Sequence, residues 1–435
     1  MMGTSYQRKT RRSRRKVQNL QDQAVTVNVA EGKARFQMVL PISPLLSEVA
    51  GAIEQTASQA GLLMMKALID EEVEQIAGRR YGHQADRQAT RWGHEEGHVI
   101  FCGRKVGVER PRVRTVDGRE VPLQRYQAFA HPQRMQESVS QRILRRVSTR
   151  DYAGALDEVC EGYGIEKSSV SRQWKAASSK QLKQMLERPL GDLDLCVLLL
   201  DGKEFHDFTL IVALGVDREG RKHVLGLWPG ATENSDVCGA LLDDLIARGL
   251  SKDKPYLCLL DGSKALKKAV TSRFGVKTLI QRCRVHKKRN IQKYLPKQYH
   301  RMLSLKLQVA WGMTEYDKAY KELRKVHDWL ASINHAAADS LEEGFEETLT
   351  INRLNLPPQL RRLLSSTNMI ESCFSRAGDL CRNVKRWRDG NMAERWAGTV
   401  LLEAEKRFNR VQGYRQLPLL INALQAALDK KEAAA

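Results

Sequence analysis

The chain has 435 residues, of which 42% are hydrophobic, enough for a sizeable core shared among about two to four domains. No apolar run reaches the roughly 18 residues a bilayer span needs, and the N-terminus has no apolar signal segment, so a cytoplasmic protein with no membrane partner is expected. Lys and Arg number 72 against 51 Asp and Glu, a formal charge of +21 that favours a polyanionic partner, nucleic acid first. The eight cysteines are scattered and form no C-x-x-C pair, which argues against a disulfide scaffold or a zinc ribbon.

Residues 1–40 read as a basic flexible arm carrying the run RKTRRSRRK at 8–16. Residues 41–147 read as a mostly helical DNA-binding or dimerisation region containing a small β-hairpin. A helix is predicted over 41–80 from Leu62, Leu63, Met65, Leu68, Ile69, Val73 and Ile76. Strand-like alternation follows at Val106, Val108, Val113 and Val116, with Asp117-Gly118 as a turn. His94-Glu95-Glu96-Gly97-His98 matches the H-E-x-x-H zinc-protease pattern, which works only on a helix. Gly93, Gly97 and the following Val99-Ile100-Phe101 predict a strand instead, so that reading is set aside.

Residues 148–190 read as a helix-turn-helix. A first helix would carry Leu156 and Val159, Gly162 and Gly164 would break it, and a second would begin at Ser168. Ser168, Ser169, Arg172 and Gln173 would then face the DNA groove. From 191 to 289 the pattern becomes α/β. Leu193–Leu200 is a buried strand ending at Asp201, and strands follow at 208–216 and 223–228 around the turn Asp217-Arg218-Glu219-Gly220. A helix over 235–250, a strand over 256–260, a helix over 264–274 and a short strand over 277–281 complete the layer. Residues 290–365 read as an all-α insertion, with Ala319, Leu323, Val326 and Leu330 at helical spacing. Residues 366–435 return to the core through a helix starting near Ser366, followed by C-terminal helices.

Asp201 and Asp261 each follow an apolar run, LLLDG and CLLDG. A carboxylate does not belong in a hydrophobic core without a partner. At the ends of adjacent strands, two carboxylates can share a divalent cation, the arrangement phosphoryl transfer uses. Glu371, on a helix after Ser366-Thr367-Asn368, can reach both. Glu204, Asp207 and Glu233 are rival or supporting carboxylates. Cys283 and His286 form C-x-x-H, better suited to shaping a site or holding DNA than to zinc, because no further ligands lie nearby at matched spacing. Lys287, Lys288 and Arg289 follow at once, and Arg382, Lys385, Arg386 and Arg388 flank Trp387; both sets are candidate DNA contacts.

Taken in order, LLLDG, GVDREGRKHVLGLWPGATENS at 215–235, LLDDLIARGL at 241–250, LLDGSKAL, QRCRVHKKRNIQKYLP at 281–296 and STNMIES at 366–372 resemble the Mutator-type transposases of bacterial insertion sequences. The resemblance implies an RNase H-like catalytic domain with an all-α insertion. It also implies a DDE triad of Asp201, Asp261 and Glu371 holding Mg2+, with Mn2+ as a substitute, and Cys283, His286 and Glu233 in support. The activity it implies is cleavage and strand transfer on the terminal inverted repeats of a mobile element. The partners would be double-stranded repeat and target DNA, with the enzyme a homodimer on DNA and nucleoid-associated in a bacterial cytoplasm. Rival readings are a catalytically inactive DNA-binding regulator and an RNase H-like nuclease or resolvase.

Overall fold

The computed structural model describes residues 25–30, 33–38, 46–82, 88–156, 162–205, 208–230, 235–381, 384 and 386–433. Its contacts divide the chain into two units, Met1–Ser138 with Asp151–Ser169 and Val139–Arg150 with Val170–Ala435.

In the first unit, β1 (Val25–Ala30) and β2 (Lys33–Met38) pair antiparallel. The sequence reading put these residues in the flexible arm. Their alternation of apolar and polar residues is a strand signal that the charge of the preceding run obscured. The run at 8–16 lies outside the described residues. The predicted helix is α1 (Leu46–Ala77). It packs with β3 (Ala89–Phe101), β4 (Arg104–Thr115), β5 (Glu120–Val121) and α2 (Gln124–Ala130) around Ile69, Val73, Val99, Val106, Val113 and Leu123. Glu72 is nearly buried in this unit because its carboxylate accepts the Gln124 and Arg125 amides at the start of α2. The β3–β4 hairpin turns at Cys102 (φ 46°) and Gly103 (φ 79°), the positive pair a two-residue turn requires, and Asp117-Gly118 turns between β4 and β5. His94 and His98 both lie in β3, so H-E-x-x-H is not on a helix.

α3 (Pro132–Leu144) follows. The predicted first helix of the helix-turn-helix is replaced, as far as it is described, by a 3-10 turn at Ala153–Ala155. The buried Tyr152, whose hydroxyl donates to Gly103 O at 3.0 Å, ties this segment to the β3–β4 turn. Residues 157–161, Val159 among them, lie outside the described residues. The second helix is present as α4 (Lys167–Leu186).

The second unit holds a five-stranded sheet in the order β10-β9-β6-β7-β8. β6 (Leu195–Phe205), β7 (Phe208–Asp217) and β8 (Lys222–Gly230) are antiparallel neighbours. After α5 (Ser235–Ala247), β9 (Tyr256–Leu260) joins β6 in parallel; after α6 (Lys264–Phe274), β10 (Thr278–Arg282) joins β9 in parallel. A parallel pair needs a crossover, which the two helices supply. The continuous apolar run Cys196–Leu200 is buried throughout, as a strand covered on both faces must be. Leu198 and Leu200 share a core with Leu241, Leu245, Leu266 and Phe274. α7 (Arg284–Gln292), α8 (His300–Gly312), α9 (Tyr316–Ala331), α10 (His335–Glu342), α11 (Thr350–Arg353) and α12 (Pro358–Leu363) form the all-α insertion, with its own core around Leu307, Leu323, Val326, Leu330 and Leu341. α13 (Asn368–Cys381) returns to β6, α14 (Gly390–Glu405) packs on β8, and α15 (Leu417–Glu432) ends the fold. No helix is long and apolar enough to cross a membrane among the described residues.

Candidate active site

β6 and β9 are registered so that Leu200 faces Leu260. Asp201 and Asp261 are the next residues of the two chains, so the register sets them side by side. β6 does not stop at the aspartate, as the sequence reading had it; residues 201–205 continue as a hairpin with β7 alone. β9 has ended by then, and Gly262, at φ 118°, turns the chain away into α6. The two paths therefore separate at the carboxylates. Asp261 is half-buried and accepts the Ser263 amide through Oδ1 at 2.9 Å, which fixes its orientation.

Asp201 is only 5% exposed. Burial first, and the Asp261 charge next, push its carboxyl up to about 8; Glu371 and Cys283 push the same way, and His286 opposes them. Four groups from three other segments of chain therefore act on one carboxylate. Glu371 arrives on the first turn of α13 and stands 3.7 Å from His286 Nε2.

Thr367, immediately before α13 and fully buried, joins these pieces. Its amide donates to Cys283 Sγ at 3.4 Å, and its Oγ1 lies 3.4 Å from Cys283 Sγ, 3.4 Å from His286 Nδ1 and 3.2 Å from Glu371 Oε1. Cys283 caps α7, its sulfur accepting from the His286 amide at 3.5 Å. Burial drives the Cys283 thiol up, but the hydrogen bonds from His286 and Thr367 together outweigh it and bring the thiol below its ordinary range. His286 is raised, first by its hydrogen bond to Cys283, then, against the cost of burial, by the charges of Cys283, Asp201 and Glu371. The sequence reading did not single out Thr367, although it sits inside STNMIES. It also found no third ligand near C-x-x-H, whereas the fold brings Glu371 there. Donor atoms of Cys283, His286 and Glu371 all lie within 4.8 Å of one another. That trio can hold a metal, but the sulfur already has three hydrogen-bond partners, and a network orienting Glu371 accounts for the same geometry.

The predicted DNA contacts divide. Lys287 is not at the surface: it is 1% exposed, and its Nζ donates to Ser340 O at 2.6 Å and to Glu343 O. Burial first, then Arg282, bring its ammonium down to about 8. On α7 the inward stripe is Arg284, Lys287 and Ile291, spaced three and then four residues apart, which leaves Arg289 exposed and Lys288 half-buried. Ser168 and Arg172 are exposed on α4, with Ser169 and Gln173 partly so. Arg386 and Arg388 are exposed, whereas Trp396 is core, 4.6 Å from the ring of Trp174. Glu204 is exposed; Glu233, Asp207, Arg382 and Lys385 lie outside the described residues.

A pair of aspartates on neighbouring strands of an α/β layer, a glutamate delivered across a helical insertion and an excess of basic charge accompany a match over residues 46–411 to the model of the Mutator family of transposases. The chain belongs to that family. It is 24% identical over 355 residues, 77% of this chain and 86% of the other, to the transposase for insertion sequence element IS256 in transposon Tn4001 of Staphylococcus aureus. It is 26% identical over 323 residues, 71% of this chain and 77% of the other, to the transposase for insertion sequence element ISRM5 of Rhizobium meliloti. The transposase for insertion sequence element IST2 of Acidithiobacillus ferrooxidans is 30% identical over 200 residues, 46% of this chain and 66% of that one.

Proposed function

We propose that this transposase is a DDE enzyme that binds the terminal inverted repeats of its element and carries out metal-dependent strand cleavage and strand transfer, with Asp201, Asp261 and Glu371 as the triad. The observation that carries this reading is the β6–β9 register, which sets two carboxylates side by side within the field of a third. Three antiparallel strands followed by two parallel ones support an RNase H-like core.

The donor set fits Mg2+ or Mn2+: three carboxylates supply hard oxygen ligands, and a buried Asp201 among like charges calls for a cation. When bound, the metal activates the attacking oxygen and stabilises the leaving one. The chain does the rest. Ser263 holds Asp261, and Thr367 and His286 hold Glu371. Water attacks the scissile phosphodiester and the bond to the 3′ oxygen breaks, leaving a 5′-phosphate and a free 3′-hydroxyl; that hydroxyl then attacks a phosphodiester of the target, joining to its phosphorus as the bond to the target's own 3′ oxygen breaks and that oxygen leaves as a hydroxyl. Arg289, Lys288, Arg386, Arg388 and the exposed face of α4 would contact DNA, with α4 as the reading helix and a homodimer acting on paired ends.

The test is cleavage and joining of DNA carrying the element's end, with Mg2+ or Mn2+. Products of both steps uphold the reading. Binding without cutting makes the protein a regulator, and cutting without joining makes it a nuclease.

A further inference from the structure

Beside Asp261, the residues on either side of it, Leu260 and Gly262, line a separate cavity of about 230 Å³. That is below the roughly 300–1,000 Å³ of pockets built for drug-sized ligands, and so suits one small group. Its wall carries three cations. Lys264 and Lys267 come from the first turn of α6, and Arg282 from the end of β10. Two carboxylates from the insertion, Glu343 and Glu347, face them, leaving positive charge in excess.

Arg282 is the unusual member. Its side chain is 6% exposed. NH1 and NH2 donate to Glu343 O at 3.0 Å and Gly262 O at 2.6 Å, while Nε has no hydrogen-bond partner. Two glycines at positive φ make its room: a Cβ on Gly262 would come within 2.7 Å of the guanidinium, and one on Gly344 within 2.2 Å. Both flanking turns are thus shaped around a buried cation whose hydrogen bonds are incomplete. The α6 N-terminus, capped by Ser263, forms part of the same wall.

We propose that this cavity is a phosphate subsite that takes a non-scissile backbone phosphate of the DNA strand being cut, next to the one at Asp201 and Asp261. The proposal rests on the transposase reading. Glu343 and Glu347 hold the lysines over the cavity until the phosphate arrives. Chemistry at the aspartates fixes one phosphate, and the subsite fixes its neighbour, so the strand cannot slide past the cut.

The experiment uses the full chain and a Lys264→Ala/Lys267→Ala variant, both lysines being exposed enough to remove without opening a core. Each is titrated at several salt concentrations with end-DNA duplexes in which one backbone phosphate at a time is replaced by a neutral methylphosphonate. Cleavage in Mg2+ is followed in parallel. The wild type is expected to lose affinity several-fold when one particular phosphate close to the cut is neutralised. The variant is expected to be indifferent to that replacement, with a log affinity against log salt slope shallower by about one. A variant with the wild-type positional profile and slope overturns the subsite while wild-type cleavage upholds the transposase reading. A wild type that binds but never cuts sinks that reading, and the positional profile still decides the subsite. A chain that binds no duplex sinks both.

Discussion

Asp201 and Asp261 follow directly on Leu200 and Leu260, which are register partners in the parallel pair of β6 and β9. The hydrogen-bond ladder thus brings two distant carboxylates together, at the point where one strand continues and the other turns away. Their proximity has a thermodynamic consequence, because Asp201 is both buried and surrounded by like charge.

That consequence is a stability dependent on pH and metal. The Asp201 carboxyl titrates at about 8 in the folded chain and at about 3.9 when unfolded. Between those values the folded state binds the extra proton, so this group's contribution to stability falls as pH rises from about 4 to 8 and is flat above. Asp201→Asn should remove that decline and be more heat-stable than wild type at pH 8. Mg2+ should raise the wild-type melting temperature more at pH 8 than at pH 5 and do less for the variant. Thermal melts at the two pH values check it; a Mg2+ effect independent of pH, and equal in the variant, would show that Asp201 is not part of the ion's site.

Asp201→Asn, Asp261→Asn and Glu371→Gln should each abolish cleavage and joining. Loss of several kcal/mol of transition-state stabilisation corresponds to about 10²- to 10³-fold or more in rate. Affinity for end DNA should stay within a few-fold of wild type, because the basic surfaces are untouched. Single-turnover cleavage alongside a binding titration separates the two, and any variant that still cuts at the wild-type rate removes that residue from the triad.

Thr367 gives a sharper test of positioning. Thr367→Val keeps the shape and deletes the hydroxyl that stands between Cys283, His286 and Glu371. Outer partners of this kind are worth about 10- to 100-fold in activity. Thr367→Ser should recover most of the loss, and DNA affinity should not change. If the loss followed stability alone, the serine and valine variants would track their melting temperatures instead.

The pairing of Asp201 with Asp261 was legible in the sequence because a carboxylate ending an apolar run is a local contradiction, and LLLDG and CLLDG state it twice. The strand and helix order of the α/β layer was legible for the same reason: hydrophobic runs and glycine turns are local. Thr367 was not, since its role depends on a sulfur 84 residues away in sequence. Lys287 was misread because charge alone does not tell which face of α7 turns inward; Ile291 in register with it was the available signal. Over the described residues up to 156, a 3-10 turn stands where the first helix before α4 was expected, and Tyr152 there is anchored on Gly103 O, far back in the chain.

Lys287 supplies its own check. Lys287→Met leaves the Ser340 and Glu343 carbonyls without their donor, at a cost of about 1–3 kcal/mol. Its folded ammonium titrates at about 8, below the unfolded lysine, so its contribution to stability rises with pH between about 8 and 10.4. The variant should melt lower than wild type at neutral pH, yet its DNA affinity should keep the wild-type salt slope. Arg289→Ala should do the reverse, with unchanged melting and a slope shallower by about one.

On α4 the inward residues Val170, Trp174 and Ala177 are core, and Trp174 packs at a tilt against Trp396. Arg172 stands exposed on the other side. If α4 reads DNA, Arg172→Ala should weaken binding to the terminal repeat by about 1–3 kcal/mol, roughly 5- to 150-fold, without lowering the melting temperature. A base contact would relax sequence preference at one position, and a phosphate contact would weaken all duplexes alike and flatten the salt slope. Trp174→Ala should instead cost about 3–5 kcal/mol of stability, as an aromatic removed from a core does. Competition titrations with repeat and scrambled duplexes, run on both variants, separate the two faces. An Arg172→Ala chain that binds both duplexes as wild type does would move DNA reading away from α4.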